Sequence, residues 1–336
     1  MKFLKESVVL VAASLIFAPL VWGAGNEPVK LTRQGNKVEI SVGGKHFTAF
    51  YFGPSSPKPY LHPLRSAQGT IVTRGFPMVT DIPGESHDHP HHRGLYFAHG
   101  DINGVDFWGE QVQTRKQQTA GGKFYANSEE LPKGRTVFRR LEKMESGPDS
   151  ATLKADFDLV GPDGKAIAGE TQEYVFSGDS STRTIDCTFT ITADHGPVKM
   201  GDTKEGTFAI RVAHDLTGSK VRMLNANGKV GEKEIWGKRA DWVDYSGTVA
   251  GEKLGIAIFD NPQNLRHPTT WHARDYGLFA VNPFGEHDFY NDPKRDGSYK
   301  IEPGKTLTLR YRVVIHHGDA AQAHVAEAYK TYAAGR

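Results

Sequence analysis

Period-two hydrophobic alternation most constrains the fold of this chain. Ala151, Leu153, Ala155, Phe157 and Leu159 alternate with polar residues, Pro162-Asp163-Gly164 supplies a turn, and a second strand is predicted over 167–176. The pattern returns over 185–191 and 307–315. Successive side chains of a strand point to opposite faces, so such runs bury one face and wet the other, as in antiparallel sheets packed in a sandwich. One helix is predicted, at the C-terminus, where Ala321, Val325, Ala328, Tyr329 and Tyr332 share a face and Asp319 is placed to cap its start. Many short strands with Gly and Pro turns, then one closing helix, predict an all-β fold: a large antiparallel two-sheet β-sandwich, a single domain over residues 25–336.

Residues 1–24 read as a secretory signal peptide. Lys2 and Lys5 open it, residues 8–21 form its apolar core, and Val21-Trp22-Gly23-Ala24 offers small residues for cleavage. The apolar run is short for a membrane anchor and no later segment approaches a span. A periplasmic or secreted protein without a membrane span in its mature form is therefore expected. Cys187 is the only cysteine, so no internal disulfide can form. Its alternation with Ile185, Phe189 and Ile191 points it inward as a small apolar residue. The net charge of +2 comes without a basic run, which argues against nucleic acid as a partner. The sequence carries no mark of oligomeric state.

The chemistry-bearing residues fall into four clusters. The first is 87–108, where five of the fifteen histidines lie within thirteen residues, with Asp88, Asp101 and Asp106 among or just beyond them and Arg93, Trp108 and Glu110 at the edges. Imidazole is the side chain that exchanges protons near neutral pH and the commonest metal ligand. The stretch admits three readings. His87, His89 and His91, if extended, share one face and suit a divalent metal such as Zn, Cu or Ca. Alternatively His92 or His99 acts as general acid or base, with Arg93 and Asp101 holding a substrate. The third reading is a solvated loop without a ligand. The second cluster, 201–215, contains Asp202, Lys204, Glu205, Arg211 and the pair His214-Asp215, whose side chains point apart if the strand is regular. In the third, 267–276, regular alternation puts His272, Arg274 and Tyr276 on one polar face and Trp271 on the other, unless Trp271 is simply core and Arg274 a structural ion pair. The fourth is the loop 282–288, beginning at Asn282.

Aromatic rings beside hydrogen-bonding groups are what a carbohydrate needs, because apolar sugar faces stack on rings while charged and amide groups hold hydroxyls. Trp108, Trp236, Trp242 and Trp271 all lie beside such groups. Paired-carboxylate glycoside hydrolysis would draw on Glu110, Glu205 or Glu286, but spacing in sequence brings no two of them together. Phosphate-cradling, nucleophile-elbow and dinucleotide motifs are missing.

Residues 91–108, His-His-Arg-Gly-Leu-Tyr-Phe-Ala-His-Gly-Asp-Ile-Asn-Gly-Val-Asp-Phe-Trp, resemble the signature of an exported bacterial family of unknown function labelled "methane oxygenase PmoA". Arg211-Val212-Ala213-His214-Asp215, Trp271-His272-Ala273-Arg274-Asp275-Tyr276-Gly277-Leu278 and Asn282-Pro283-Phe284 fit the same PmoA-like family. The methane label itself does not suit a chain with no span after its signal. The resemblance implies a β-supersandwich similar to galactose mutarotases, with a sugar in a groove on one concave sheet. It also implies His92, His99 and His272 as catalytic candidates, with Arg93, Asp101 and Arg274 holding the substrate; Asp106, Trp108, Arg211, His214, Tyr276 and Asn282 are further candidate ligand contacts. The expectation is an exported carbohydrate-active enzyme, cleaving or isomerising a sugar or oxidised-sugar derivative by histidine acid/base catalysis, with or without the assistance of a metal. A non-catalytic glycan-binding protein and a soluble Cu or Zn enzyme are the alternatives.

Overall fold

A computed structural model of the chain describes residues 25–110 and 131–335. The predicted signal peptide lies outside the described residues. The first strands are β1 (Val29–Gln34), β2 (Lys37–Val42), β3 (Lys45–Tyr51), β4 (Tyr60–Leu61) and β5 (Leu95–His99). Long strands follow: β6 (Arg135–Glu145), β7 (Ser150–Val160), β8 (Ala166–Gly178) and β9 (Thr182–Thr192). Then come β10 (Val198–Met200), β11 (Gly206–Arg211), β12 (Arg222–Asn225), β13 (Trp242–Val249) and β14 (Glu252–Asp260). The last are β15 (Trp271–Ala273), β16 (Leu278–Val281), β17 (Tyr299–Ile301) and β18 (Thr306–His317). Helices α1 (Glu232–Ile235), α2 (Glu286–Tyr290) and α3 (Val325–Ala334) are short.

One eight-stranded antiparallel sheet has the order β1-β2-β3-β4-β5-β11-β16-β15, and a second has the order β12-β13-β14-β18-β9-β8-β7-β6. A two-stranded ribbon pairs β10 with β17. The core lies between the two large sheets. Phe97 of β5 stacks on Phe189 of β9 with ring centroids 4.3 Å apart, Phe208 of β11 on Tyr311 of β18 at 5.0 Å, and Phe279 of β16 on Tyr245 of β13 at 4.2 Å. Each pair joins one sheet to the other, as in a face-to-face sandwich.

Strands β7, β8, β9 and β18 show the predicted alternation, with every second residue buried in the core. Cys187 of β9 is among them and is a free, buried thiol. Strands β5, β11 and β16 behave differently, being buried on both faces. Their outer faces carry Tyr96, Ala98, Ala209, Leu278 and Ala280, which form a small separate apolar cluster with Tyr60 and Trp108. Loops cover this second face, so alternation in sequence cannot reveal it.

The closing helix is shorter than predicted. The Asp319 carboxylate accepts from the N–H groups of Ala321 and Gln322, both at 3.0 Å, and so caps a turn ahead of the helix. Helix α3 starts only after His324, whose left-handed φ of +52° interrupts helical continuity. Tyr329 and Tyr332 then lie against Phe259 of β14, on the outer face of the second sheet.

Inside the sandwich, Tyr174 donates to Gln172 Oε1 at 2.7 Å, and the Gln172 amide donates to Glu170 Oε1 at 2.5 Å. Burial pushes the Glu170 carboxyl up to about 8, against the downward pull of the Gln172 hydrogen bond. The folded protein thus keeps a proton that the unfolded chain releases above its ordinary value of 4.5. This contribution to stability is complete below that value and is lost as pH rises toward 8, at about 1.4 kcal/mol per pH unit. Glu170→Gln removes the proton from the balance. Urea unfolding at several pH values is expected to show the variant gaining on the wild type by on the order of 3 kcal/mol between mildly acidic and mildly alkaline solution. Parallel pH dependences would contradict it.

Candidate functional site

The loop between Arg74 and β5 folds over the outer face of β11, and Arg74 organises it. Its Nη1 donates to the Ser86 carbonyl at 3.2 Å, the Asp88 carbonyl at 2.9 Å and Asp88 Oδ1 at 2.6 Å. Its Nη2 donates to the His89 carbonyl at 2.9 Å, and its Nε to the Phe76 carbonyl at 3.1 Å. Arg211, at the end of β11, is 1% exposed. Its Nη2 donates to Asp88 Oδ1 at 2.8 Å and its Nη1 to His92 Nδ1 at 3.1 Å. Because Nδ1 accepts, the neutral His92 ring carries its proton on Nε2.

Burial holds His92 well below its ordinary value, reinforced by His91, His89 and Arg211. His92 is therefore neutral at pH 7. Burial pushes Asp88 the other way, but the hydrogen bond from His89 and the charge of Arg211 outweigh it and keep the carboxyl well below the usual range. Asp88 is therefore ionised.

A cleft of about 360 Å³ opens beside this network, walled by Arg74, Ser86, Asp88, Arg211, His214 and Tyr276. The Tyr276 ring stacks on His89 at 5.4 Å and faces the guanidinium groups of Arg211 at 4.7 Å and Arg274 at 5.5 Å. Behind His92 lie Tyr96 and Trp108, at ring-centroid distances of 6.4 and 5.7 Å.

The remaining sequence candidates are placed elsewhere. His99 Nε2 donates to the Gly201 carbonyl at 2.8 Å and His272 Nδ1 to the Lys204 carbonyl at 2.8 Å. Burial pushes each of these imidazoles down to about 4. Asn282 donates to the Thr203 carbonyl at 2.8 Å, so all three brace the 200–206 loop and are not among the cleft walls. Asp101 accepts from Gly104 N–H, and Asp106 accepts from Trp108 and Gly109 N–H and pairs with Lys133. Arg93 makes a two-pronged pair with Glu110, at 2.7 Å from both Nε and Nη2. Arg274 pairs with Glu232 at 3.1 Å, and Trp271 belongs to the inter-sheet core. Trp236 packs on Phe289 and Trp242 lies under α3, leaving Trp108, among the described residues, as the tryptophan beside the site.

The expected sharing of one face by His87, His89 and His91 does not occur. His89 has a left-handed φ of +42°, so the segment is not extended. His87 stacks on Phe76 and His89 on Tyr276, while His91 sits against His92 and Trp108. Among the described residues, no group of three or more His, Cys, Asp or Glu side chains is arranged to hold a metal ion. Arg74 of the cleft wall and the buried Lys58, which donates to the Trp108 carbonyl, escaped sequence reasoning. Neither lies in a chemical motif, and each is recognisable only by what the fold places around it.

The fold and the site together define a class: an antiparallel two-sheet sandwich bearing a covered cleft, walled by arginine, aspartate and tyrosine, on the outer face of one sheet. The chain belongs to DUF6807, a family of unknown function, which matches residues 37–330. No curated protein matches the chain. Among solved structures, it is similar to an α-galactosidase of Geobacillus stearothermophilus in complex with raffinose, at 11% identity and TM-score 0.38, covering 88% of this chain and 41% of that one. It is also similar to an α-galactosidase of Lactobacillus brevis, at 9% identity and TM-score 0.39, covering 88% and 40%. A galactose mutarotase related enzyme of Lactobacillus acidophilus matches at 8% identity and TM-score 0.32, covering 87% and 98%. The chain thus spans about two fifths of the length of the two α-galactosidases. At these scores the likenesses assign no activity, and the sandwich architecture rests on the strand pairing itself.

Arg74→Met tests the role given to Arg74. It breaks a partly buried ion pair and strips donors from five carbonyls, at an expected cost of about 3 kcal/mol. Calorimetry is expected to show melting lowered by roughly 6 °C or more, with faster proteolysis within 75–92. Unchanged melting would remove Arg74 as the organiser of the loop.

Proposed function

We propose that the cleft binds a sugar or oxidised-sugar derivative, and that the protein, exported to the periplasm or beyond, isomerises or cleaves it by histidine acid/base chemistry. The observation that carries this reading is the meeting of Arg74, Asp88, Arg211 and Tyr276, from three separate stretches of chain, at one cleft, with the buried His92 hydrogen-bonded to Arg211 of its wall. Charged donors and a carboxylate suit hydroxyl groups, and the flat Tyr276 ring suits an apolar sugar face. In this reading neutral His92 polarises a substrate oxygen through its Nε2–H hydrogen bond without changing its own charge, while ionised Asp88 accepts from a hydroxyl.

The test is incubation of residues 25–336 with a panel of glycosides and 3-keto-glycosides, following products by NMR. Turnover of at least one member is expected, with His92→Ala lowering kcat/KM by on the order of 100-fold while the circular dichroism is unchanged. Because His92 is held neutral, its titration should add no limb to the pH profile near its ordinary value of 6.5. The burial of His92, 1% exposed, favours a second reading, a glycan-binding protein without catalysis. Binding by calorimetry with no product would select that reading, and folded protein with neither binding nor turnover would overturn both.

A further inference from the structure

We infer that the ligand carries an anionic group, the carboxylate of an acidic sugar, seated behind Arg211 against buried donors that no described residue satisfies. The inference rests on the sugar-binding reading and narrows its substrate class. His92 Nε2, the Tyr96 hydroxyl and Trp108 Nε1 are buried and without a hydrogen-bond partner among the described residues. Their residues are 1%, 0% and 2% exposed. The three rings form one cluster, with Tyr96 and Trp108 centroids 5.0 Å apart. Arg211 Nε is a fourth unpartnered donor among the described residues. Indole N–H only donates, His92 Nε2 carries its proton because Nδ1 accepts, and the tyrosine hydroxyl is free to donate. Buried donors left unpaired are costly, so a site built of them is completed by an acceptor.

Two carboxylates beside the cluster are already committed to the protein's own basic groups, which leaves the unpartnered donors without an acceptor among the described residues. Asp88 is shared by Arg74 and Arg211, at 2.6 and 2.8 Å. Glu110 is shared by Lys58 and Arg93, at 3.2 and 2.7 Å. Lys58 is itself buried, donates to the Trp108 carbonyl at 2.5 Å and stands 5.0 Å over the Tyr96 ring. Each of these carboxylates thus faces two basic groups, although burial pulls the Lys58 ammonium below its usual value, whereas the neighbouring Asp106 is paired with Lys133 alone among the described residues. Glu85, which accepts from the N–H groups of Gly75 and Phe76, and Asp275 of the cleft wall bring the formal charges of these groups into balance. A sugar hydroxyl offers two lone pairs to these four donors, whereas the two oxygens of a carboxylate offer four and make charge-assisted hydrogen bonds.

Calorimetric titration of residues 25–336 with methyl glucuronide, methyl galacturonide and gluconate is to be compared with methyl glucoside, methyl galactoside and the methyl esters of the two uronides. At least one acid is expected to bind 10-fold or more tighter than its neutral counterpart. Tyr96→Phe and Trp108→Phe, checked for unchanged melting, are expected to reduce that preference several-fold while sparing the neutral sugar. The acid-against-ester comparison on the wild type stands whether or not the variants fold. Neutral sugars binding as well as acids would overturn this inference and leave the sugar-binding reading standing. Acid binding indifferent to both substitutions would also overturn it, and binding of neither kind of sugar would overturn both.

Discussion

The buried guanidinium of Arg211 is the constraint around which the site is built. It sits on the second face of a central strand, where an unpaired charge would be prohibitively costly. Asp88 and His92 answer it from a loop far away in sequence, and Arg74 holds that loop by its carbonyls. Sheet and covering loop therefore specify one another. The second, smaller apolar cluster of Tyr60, Tyr96 and Trp108 lies under the same cover.

The histidines divide by what surrounds them. His99 and His272 each donate to a backbone carbonyl of the 200–206 loop and serve to hold it. His92 instead accepts from an arginine, which leaves its buried Nε2–H without a partner among the described residues. The same imidazole, comparably buried, is a brace in one setting and a poised donor in the other. The difference lies in whether the ring N–H finds a protein partner.

How much of this was legible beforehand can be judged from particular residues. Arg211, Tyr276 and His92 stood out by their types and neighbours, and the structure gathers them. Arg93, Asp101, Asp106, Arg274 and Asn282 have equally suggestive types but are engaged in structural hydrogen bonds and ion pairs. A one-dimensional pattern cannot tell a side chain that holds a ligand from one that holds a loop. The helix start failed for a local reason, the left-handed His324, and the shared histidine face failed for another, the left-handed His89.

Alternation by itself determined the two-sheet sandwich and the inward position of Cys187, because a strand's period of two translates directly into faces. Only the tertiary structure decided that β5, β11 and β16 bury their outer faces as well, and which charges meet there. Arg211 reaches Asp88 across 123 residues of chain, a separation at which pairing is set by sheet order and loop path rather than by neighbours in sequence.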